Sequence, residues 1–484
     1  MRTYVTPGRK RRSIAVAATF LCIALTGCSP AESTPSAVPA SPLVIVSGMP
    51  TETADTPTSG LSGGLATLPP TVPYHGKTIY EPPAGSSAQL IGIGPDDTLY
   101  VLLARSLVGS DVAASVIALG PDGSVRPGWP TAGVPISGYP TSYKVNSNGT
   151  VFVASGDNPY GGTTDPLSQL IVTAIGPGGK VLPGWPYRTP AARQGRDPNL
   201  LQPGPDDSVC FLGWKPGVTE LGSDVPMVVY CLGANGALLP GWPYSSDAPL
   251  WNLAVGPDGS VYVGQKTSSK ISATWYYVYP YQVLAIGHDG RLRTGWTPWV
   301  PASHVGITVI MPTSDGRVRI LLGGDGGNAD LALVDSTGKT VDDHAELASI
   351  VTSPNYKDAV ALSDGSLFVS LTEQTGQGDF VNAYEPDGSQ MVGWPQPIGG
   401  WGDIAVSPRG DVWAEWVAYG PAGSSGGSFV ALFDRSGKLQ PGYPMASDRL
   451  SASGMAFGLG VTSDGTAYAT ANTALGSKIV AFRR

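Results

Sequence analysis

The sequence has few of the residues on which enzyme chemistry usually depends, because its 484 residues include only four cysteines and four histidines. The histidines lie far apart, and none has the His-Glu-x-x-His spacing of a zinc enzyme. There is no P-loop, no dinucleotide-binding glycine motif and no Gly-x-Ser-x-Gly elbow set between a strand and a helix. From sequence motifs we therefore assign no catalytic residue, no metal ligand and no cofactor.

Basic residues and helical patterns are also scarce. The chain has 29 basic and 37 acidic residues, and five of the basic ones fall in the first 12 positions. Without those five, 24 basic residues stand against 37 acidic ones, a net charge near −13. An acidic chain with no basic stripe does not match a nucleic-acid-binding protein, so we expect no nucleic-acid partner. The near absence of a helical hydrophobic period favours an all-β fold.

The first 27 residues have the pattern of a secretory signal, with a basic start and an apolar run at 14–25 that is too short to cross a bilayer. Leu25-Thr26-Gly27-Cys28 resembles the bacterial lipobox, and the resemblance implies cleavage before Cys28 and lipidation of this residue. The alternative is an ordinary cleaved signal beside a chance cysteine. We expect a protein held by its lipid on the extracytoplasmic face of a bacterial cell membrane.

Ser, Thr, Pro, Ala and Gly dominate the next segment, residues 28–72. This composition cannot bury enough apolar surface to fold, so we interpret the segment as a disordered tether. The predicted organisation is therefore a signal peptide at 1–27, a tether at 28–72 and a folded domain at 73–484.

Two sequence phrases alternate through the folded part. The first, as in AVGPDGSVYVG, occurs eight times, and the second, as in ALGPDGSVRPGWP at 118–130, occurs seven times. Asp-Gly, Asn-Gly and Gly-Gly between β-rich runs predict tight hairpins. Two hairpins per unit make a four-stranded antiparallel blade, and eight units predict an eight-bladed β-propeller.

The last unit has only three strands before the sequence ends. Residues 74–83 contain a turn glycine and an extended run, and we expect them to supply the fourth strand and close the ring. An open solenoid is the alternative. An incomplete final unit beside a spare leading strand favours the closed ring.

An aromatic residue recurs six residues beyond the turn glycine of the second phrase. A position filled six times is not a single active site, so we expect each ring to pack against the next blade or its own sheet. The residues are Trp129, Trp185, Trp242, Trp296, Trp394 and Tyr443.

Two cysteines remain after Cys22 of the signal and Cys28 of the anchor. Cys210 replaces the aromatic residue of its first phrase, and Cys231 replaces a small residue of the second phrase in the same blade. Directly opposed residues on neighbouring strands lie close to disulfide reach. We predict a structural disulfide, and two small buried thiols are the alternative.

The fifth blade departs most from the pattern. Arg319 replaces the aromatic residue of the first phrase, and Leu333 replaces the small residue of the second phrase. His344 replaces the tryptophan of the second phrase and lies next to Asp342 and Asp343. The nearby GGDGGNAD carries oxygen ligands that could hold a hard cation, and repeat decay is the alternative. These ligands are Asp325, Asn328 and Asp330.

Aromatic residues outside the repeat slots fall in the longer connections, which must gather at one end of a propeller with tight hairpins. Loops on a rigid scaffold concentrate binding residues, and exposed Trp and Tyr suit protein or sugar partners. The alternative is that some of these rings cap the core or begin strands. The candidate binding face consists of Trp214, Trp251, Trp275, Tyr276, Tyr277, Trp299, Trp401 and Trp416.

The repeated Asp-Gly and Pro-Gly-Trp-Pro words resemble the repeats of bacterial secreted FG-GAP proteins, and their alternation resembles pyrroloquinoline-quinone-like (PQQ-like) and NHL-like propeller repeats. The resemblance extends over residues 74–484 and implies the architecture. The Asp-x-Asp-x-Asp-Gly calcium loop of FG-GAP repeats is missing here, as is the adjacent cysteine pair of quinoproteins. A lipid-anchored eight-bladed propeller also resembles the lipoprotein subunit of the outer-membrane barrel assembly machinery, in fold and anchoring alone.

These observations lead us to expect a monomeric, lipid-anchored propeller that binds an envelope protein or a glycan through its long-loop face, without chemistry of its own. The alternative is a secreted enzyme, such as a polysaccharide lyase, a hydrolase or a quinoprotein, with its active site at the central channel. Converging carboxylates, His or Arg at the channel mouth favour the enzyme. An aromatic rim favours binding.

Overall fold

The computed structural model describes residues 72–73, 76–106, 112–156, 169–191, 201–217, 225–267, 271–273, 276–278, 281–301, 306–323, 330–344, 354–373, 379–398, 400–419, 425–447, 458–473 and 476–483. The chain divides into two compact units, Met1–Ser62 and Gly63–Arg484, and every described residue belongs to the second. The regular elements of the described ranges are strands. Within these ranges, no helix has the length and apolar character needed to span a membrane.

The first half of the fold contains two leading strands and four blades of antiparallel neighbours. The leading strands are β1 (Val72–Pro73) and β2 (Lys77–Tyr80). Blade 1 contains β3 (Ser86–Ile93), β4 (Leu99–Ser106), β5 (Val112–Leu119) and β6 (Val134–Ile136). Blade 2 contains β7 (Tyr139–Val145), β8 (Val151–Gly156), β9 (Leu170–Ile175) and β10 (Tyr187–Arg188). Blade 3 contains β11 (Gln202–Pro203), β12 (Val209–Trp214), β13 (Met227–Leu232) and β14 (Tyr244–Ser245). Blade 4 contains β15 (Leu250–Val255), β16 (Val261–Lys266), the separate hairpin β17 (Ile271–Ala273) and β18 (Tyr276–Val278), and β19 (Tyr281–Ile286).

The second half repeats this plan. Blade 5 contains β20 (Gly306–Pro312), β21 (Val318–Gly323), β22 (Asp330–Val334) and β23 (Thr340–His344). Blade 6 contains β24 (Pro354–Ala361), β25 (Leu367–Glu373), β26 (Asp379–Tyr384) and β27 (Gln396–Ile398). Blade 7 contains β28 (Gly400–Val406), β29 (Val412–Tyr419), β30 (Ser425–Phe433) and β31 (Met445–Ser447). Blade 8 contains β32 (Leu459–Val461), β33 (Ala467–Thr473) and β34 (Gly476–Phe482). The predicted eight-bladed, all-β propeller is confirmed.

Ring closure follows the prediction. Strand β2 pairs antiparallel with β34, with Thr78 opposite Val480, and so completes blade 8. Across the same seam the Leu90 amide donates to Thr470 Oγ1 at 2.9 Å, and the Tyr468 hydroxyl donates to the Pro121 carbonyl at 3.2 Å. Blade 8 therefore packs on blade 1, which excludes the open solenoid.

The core lies between the blades. Strands β8 and β9 are buried at every residue, because each face of their sheet packs on a neighbouring blade. The cluster that joins blades 2 and 3, for example, contains Phe152, Trp185 and Phe211. A strand that is covered on both faces has a continuous apolar sequence, which is why polar residues do not alternate along the middle strands.

The Gly-Pro-Asp-Gly turn of the second phrase, residues 120–123, follows the end of the third strand of blade 1, β5. The Gly123 amide donates to the Gly120 carbonyl at 2.9 Å, and Gly123 has a φ of 85°, which a side chain would resist. Val125 then bridges back to Leu119, and the tryptophan follows in a second turn. A hairpin over this phrase, as the sequence predicts, would place the fourth strand directly after the turn. In the structure that strand, β6, begins only after the phrase.

The repeated tryptophans are packing residues, as predicted. All six slot residues are buried. Trp129 Nε1 donates to the Pro177 carbonyl of the next blade at 2.8 Å. Trp185 Nε1 likewise donates to the Ala234 carbonyl of the next blade at 2.9 Å. Trp296 instead donates to the Val283 carbonyl of its own blade at 3.1 Å.

Cys210 and Cys231 are directly opposed on β12 and β13. The structure joins their sulfur atoms at 2.01 Å, and both residues are buried. The disulfide takes the place of one aromatic ring, which in blade 1 is Tyr100, packed on Trp129 with ring centroids 5.7 Å apart. Blade 3 keeps the equivalent tryptophan, because Trp242 belongs to the same buried cluster as the two cysteines.

Candidate functional site

The two ends of the ring differ because consecutive strands are antiparallel. Turns that join the first strand to the second, and the third to the fourth, lie at one end, the tight-turn end. Connections from the second strand to the third, and from blade to blade, lie at the other end, the long-loop end. The first strands contact one another around the whole ring and are therefore innermost. Their long-loop ends surround the mouth of the central channel.

Two of the predicted binding aromatics do not reach this surface. Trp299 is only 5% exposed and donates to Thr340 Oγ1 at 2.9 Å. Trp416 is 2% exposed and stacks on Phe429 at 5.5 Å between ring centroids. Interblade packing buries both rings, and burial removes them from the candidate binding face.

Trp251 and Trp214 do reach the long-loop end. Trp251 lies near the start of the innermost strand β15 and is 38% exposed. Trp214 ends β12 and is partly exposed, while its Nε1 is buried and has no partner in the described part of the chain. Sequence inspection missed Tyr139, which is 41% exposed at the start of β7. We call Tyr139 and Trp251 the aromatic rim.

The remaining aromatic candidates can be placed only partly. Trp275 lies outside the described residues. Tyr276 and Tyr277 belong to β18, and Trp401 belongs to β28, where it is opposite Val417, but the structure does not describe their side chains.

A polar cluster lies farther along the innermost strands, away from the channel mouth. Gln89 on β3 donates through Nε2 to the Tyr143 hydroxyl on β7. Burial, and next the charge of Asp403, raise the pKa of Tyr143 to about 12. Asp403 belongs to blade 7, and blades 8 and 1 separate it from Tyr143, so the two groups meet across the channel. We call Gln89, Tyr143, Asp403 and Glu415 the channel cluster.

Glu415 is the buried member of this cluster. It lies on β29 directly opposite Asp403 on β28, so both side chains leave the sheet on the same face. Complete burial, and next the neighbouring Asp403, raise the pKa of Glu415 well above its ordinary value. In the described region neither carboxyl oxygen has a hydrogen-bond partner.

Sequence inspection missed the channel cluster, although a signal for Glu415 was present. The strands β4, β8, β12, β16, β21, β25, β29 and β33 align by their turns, and Glu415 is the fourth residue of β29. The seven equivalent residues are uncharged: Leu102, Ala154, Leu212, Gly264, Leu321, Ser370 and Thr470. Only a blade-by-blade comparison reveals the exception.

The cation ligands considered for the fifth blade either lie outside the described residues or have no described side chain. Asp325 and Asn328 lie outside the described residues. Asp330 lies on β22, and Asp342, Asp343 and His344 lie on β23, without described side chains. Among residues that are described, no group of three or more His, Cys, Asp or Glu side chains forms a metal site.

A cleft of about 350 Å³ opens at the tight-turn end between blades 1 and 2. Tyr100, Trp129 and Arg126 line it. The guanidinium is held by Asp96 and donates through Nε to Thr98 Oγ1 at 2.7 Å. The charged groups of this cleft therefore satisfy one another, and we do not assign it a ligand.

No family model and no curated protein matches the sequence. Among solved structures, a prolyl endopeptidase matches at 14% identity and a TM-score of 0.47, over 84% of this chain and 54% of its own. The β-propeller domain of the Trilobed protease from Pyrococcus furiosus matches at 10% identity and 0.45, over 71% and 93%. The periplasmic gluconolactonase PpgL of Pseudomonas aeruginosa matches at 16% identity and 0.44, over 75% and 98%. The chain thus spans about half the length of the endopeptidase, and these likenesses concern the propeller fold alone.

Proposed function

We propose that the protein is a lipid-anchored, extracytoplasmic propeller that binds an envelope protein or a glycan through its long-loop end, as a monomer and without chemistry of its own. The observation that carries the proposal is the aromatic rim. Tyr139 and Trp251 keep 41% and 38% of their surface exposed on innermost strands of blades 2 and 4. Large exposed rings on fixed strands suit a partner that covers the channel mouth.

The physical basis is the chemistry of the two side chains. Trp and Tyr bury large apolar areas on contact and keep a hydrogen-bonding edge, so they dominate many protein interfaces and also stack on sugar rings. The strand backbone fixes where each ring is attached, so binding costs only side-chain freedom and no ordering of a loop. Trp214, which has a buried Nε1 without a described partner, extends the surface into blade 3.

The experiment combines affinity capture from envelope extracts with a glycan array, using wild type, Trp251→Ala and Tyr139→Ala. We expect each substitution to weaken retention of a specific partner at least tenfold, a loss of about 1.4 kcal/mol or more, which marks a residue that contributes to an interface. Leu292→Ala is the matched control, because Leu292 is 55% exposed in the same blade as Trp251 but beside a turn of the tight-turn end. Equal retention by Trp251→Ala, Tyr139→Ala and the control would contradict the proposal.

The membrane anchor is a separate part of the proposal. Its support is the lipobox-like Leu25-Thr26-Gly27-Cys28 after a signal-like start. Two acyl chains on Cys28 bind a membrane stably, because each buried methylene contributes about 0.8 kcal/mol. Cys28→Ala is expected to move the protein from the membrane to the soluble fraction. Unchanged retention on membranes would argue against the anchor.

The second candidate is a hydrolase or polysaccharide lyase acting at the channel, and the channel cluster favours it. Asp403 lies within electrostatic reach of both Glu415 in its own blade and Tyr143 in blade 2, and the pKa of Glu415 is raised. Such a cluster can donate and accept protons. Turnover of a polysaccharide or ester in a substrate screen, abolished by Asp403→Asn and unaffected by Trp251→Ala, would favour this candidate over the first.

A further inference from the structure

Glu415 lies in an apolar interface without a partner. Only 3% of its surface is exposed. On the same face of blade 7, Trp413 lies two residues before it and Val430 lies directly opposite on β30, and both belong to the apolar cluster shared with blade 8. Neither carboxyl oxygen has a hydrogen-bond partner among the described residues.

A carboxyl group in this position is unfavourable in either protonation state. If ionised, it lacks a counter-charge in a region of low dielectric constant. If neutral, its O–H and C=O groups lack the hydrogen bonds they had in water. An unsatisfied buried group in a native protein therefore calls for an ion, a water or a ligand that completes it.

The position of Asp403 indicates the side from which a ligand can reach the Glu415 carboxyl. Asp403 is directly opposite Glu415 on the innermost strand β28 and is half-buried, so it connects the buried oxygens to the channel. Carboxylates on directly opposed residues repel each other, and a cation bound between them relieves the repulsion.

We propose that Asp403 and Glu415 together bind a calcium ion at the channel edge of blade 7. Their two negative charges match a divalent cation, and their four oxygens provide part of the six to eight oxygen ligands that Ca²⁺ takes. Water from the channel side of Asp403 completes the shell. Mg²⁺ is disfavoured because it requires near-ideal octahedral geometry and releases its water reluctantly, which two side chains on adjacent strands do not accommodate well.

The test is calorimetric titration of the full chain in detergent, first stripped with a chelator and then titrated with CaCl₂. We expect one saturable site with a dissociation constant of about 10⁻⁴ to 10⁻³ M, the range of extracellular calcium modules, and a weaker response to MgCl₂. Glu415→Gln and Asp403→Asn keep the shape of each side chain, remove its charge and are expected to abolish the calcium heat. Asp122→Asn is the matched control, because Asp122 is an exposed turn carboxylate in blade 1 and its loss leaves binding unchanged.

Three results would overturn the proposal. The first is the absence of saturable heat in wild type, which would indicate that water alone hydrogen-bonds the Glu415 carboxyl. The second is calcium binding by Glu415→Gln equal to that of wild type. The third is binding that is lost in Asp325→Ala and kept in Glu415→Gln, which would place the ion in the fifth blade. Thermal unfolding in chelator verifies that each variant is folded. If Glu415→Gln does not fold, Asp403→Asn decides the question, because the Asp403 side chain is only half-buried.

Discussion

Arg319 shows how one residue can replace the two aromatic donors found at the same place in another blade. In blade 1, Tyr100 donates its hydroxyl to the Gly149 carbonyl and Trp129 donates Nε1 to the Pro177 carbonyl, both at 2.8 Å and both in blade 2. In blade 5, the guanidinium of Arg319 donates to the two equivalent carbonyls of blade 6, those of Gly365 and Pro386. The aromatic slot of blade 5 has therefore changed its chemistry and kept its interblade contact.

Replacing this arginine is expected to destabilise the fold. Arg319→Met leaves the carbonyls of Gly365 and Pro386 without a donor in a buried interface, and we expect a loss of about 2–4 kcal/mol in the free energy of unfolding. Urea unfolding followed by tryptophan fluorescence measures it. Arg317→Met is the control, since the Arg317 side chain is 44% exposed and should change stability by less than about 0.5 kcal/mol. Equal effects of the two substitutions would contradict this role for Arg319.

At the scale of the element, turn chemistry defines each hairpin and packing defines each strand. The Gly120–Gly123 turn follows from the sequence, because glycine accepts the positive φ that the turn needs. The start of β6 did not follow, since this short edge strand is fixed by pairing of Val134 with Val116 and has no pattern of its own. Packing also decides the middle strands of blade 3, where the disulfide occupies a position that is aromatic in other blades.

The disulfide between β12 and β13 is expected to contribute to stability without being required for the fold. It closes a loop over a sequence separation of 21 residues, for which the loss of unfolded-state entropy amounts to about 3 kcal/mol. Replacing both Cys210 and Cys231 by alanine should lower the free energy of unfolding by about that amount, while the strands stay paired. Non-reducing peptide mass spectrometry of the wild type checks the bond itself, and two free thiols would refute it.

At the scale of the whole molecule, closure makes eight similar blades one cooperative unit. The seam between blades 8 and 1 is held by β2 and by the buried bond from the Leu90 amide to Thr470 Oγ1. Each blade covers the apolar faces of two neighbours, so opening the seam exposes core on both sides. A repeat protein without closure would instead unfold in parts.

A substitution at the seam is therefore expected to weaken the entire fold. Thr470→Val keeps the shape of the side chain but leaves the Leu90 amide without an acceptor, at a cost of about 1–3 kcal/mol. Far-UV circular dichroism and tryptophan fluorescence should report one coincident transition, shifted to lower urea concentration. Transitions that separate in the variant would show that the ring unfolds blade by blade.

The sequence alone determined the propeller, its blade number and its closing strand, because turns such as Asp122-Gly123 and the β-rich runs beside them act over a few residues and recur in every unit. It did not determine which aromatics are exposed, since the burial of Trp299 and Trp416 depends on the neighbouring blade. Nor did it reveal the channel cluster. Gln89, Tyr143, Asp403 and Glu415 come from three blades at opposite ends of the chain, and only closure of the ring brings them into electrostatic contact.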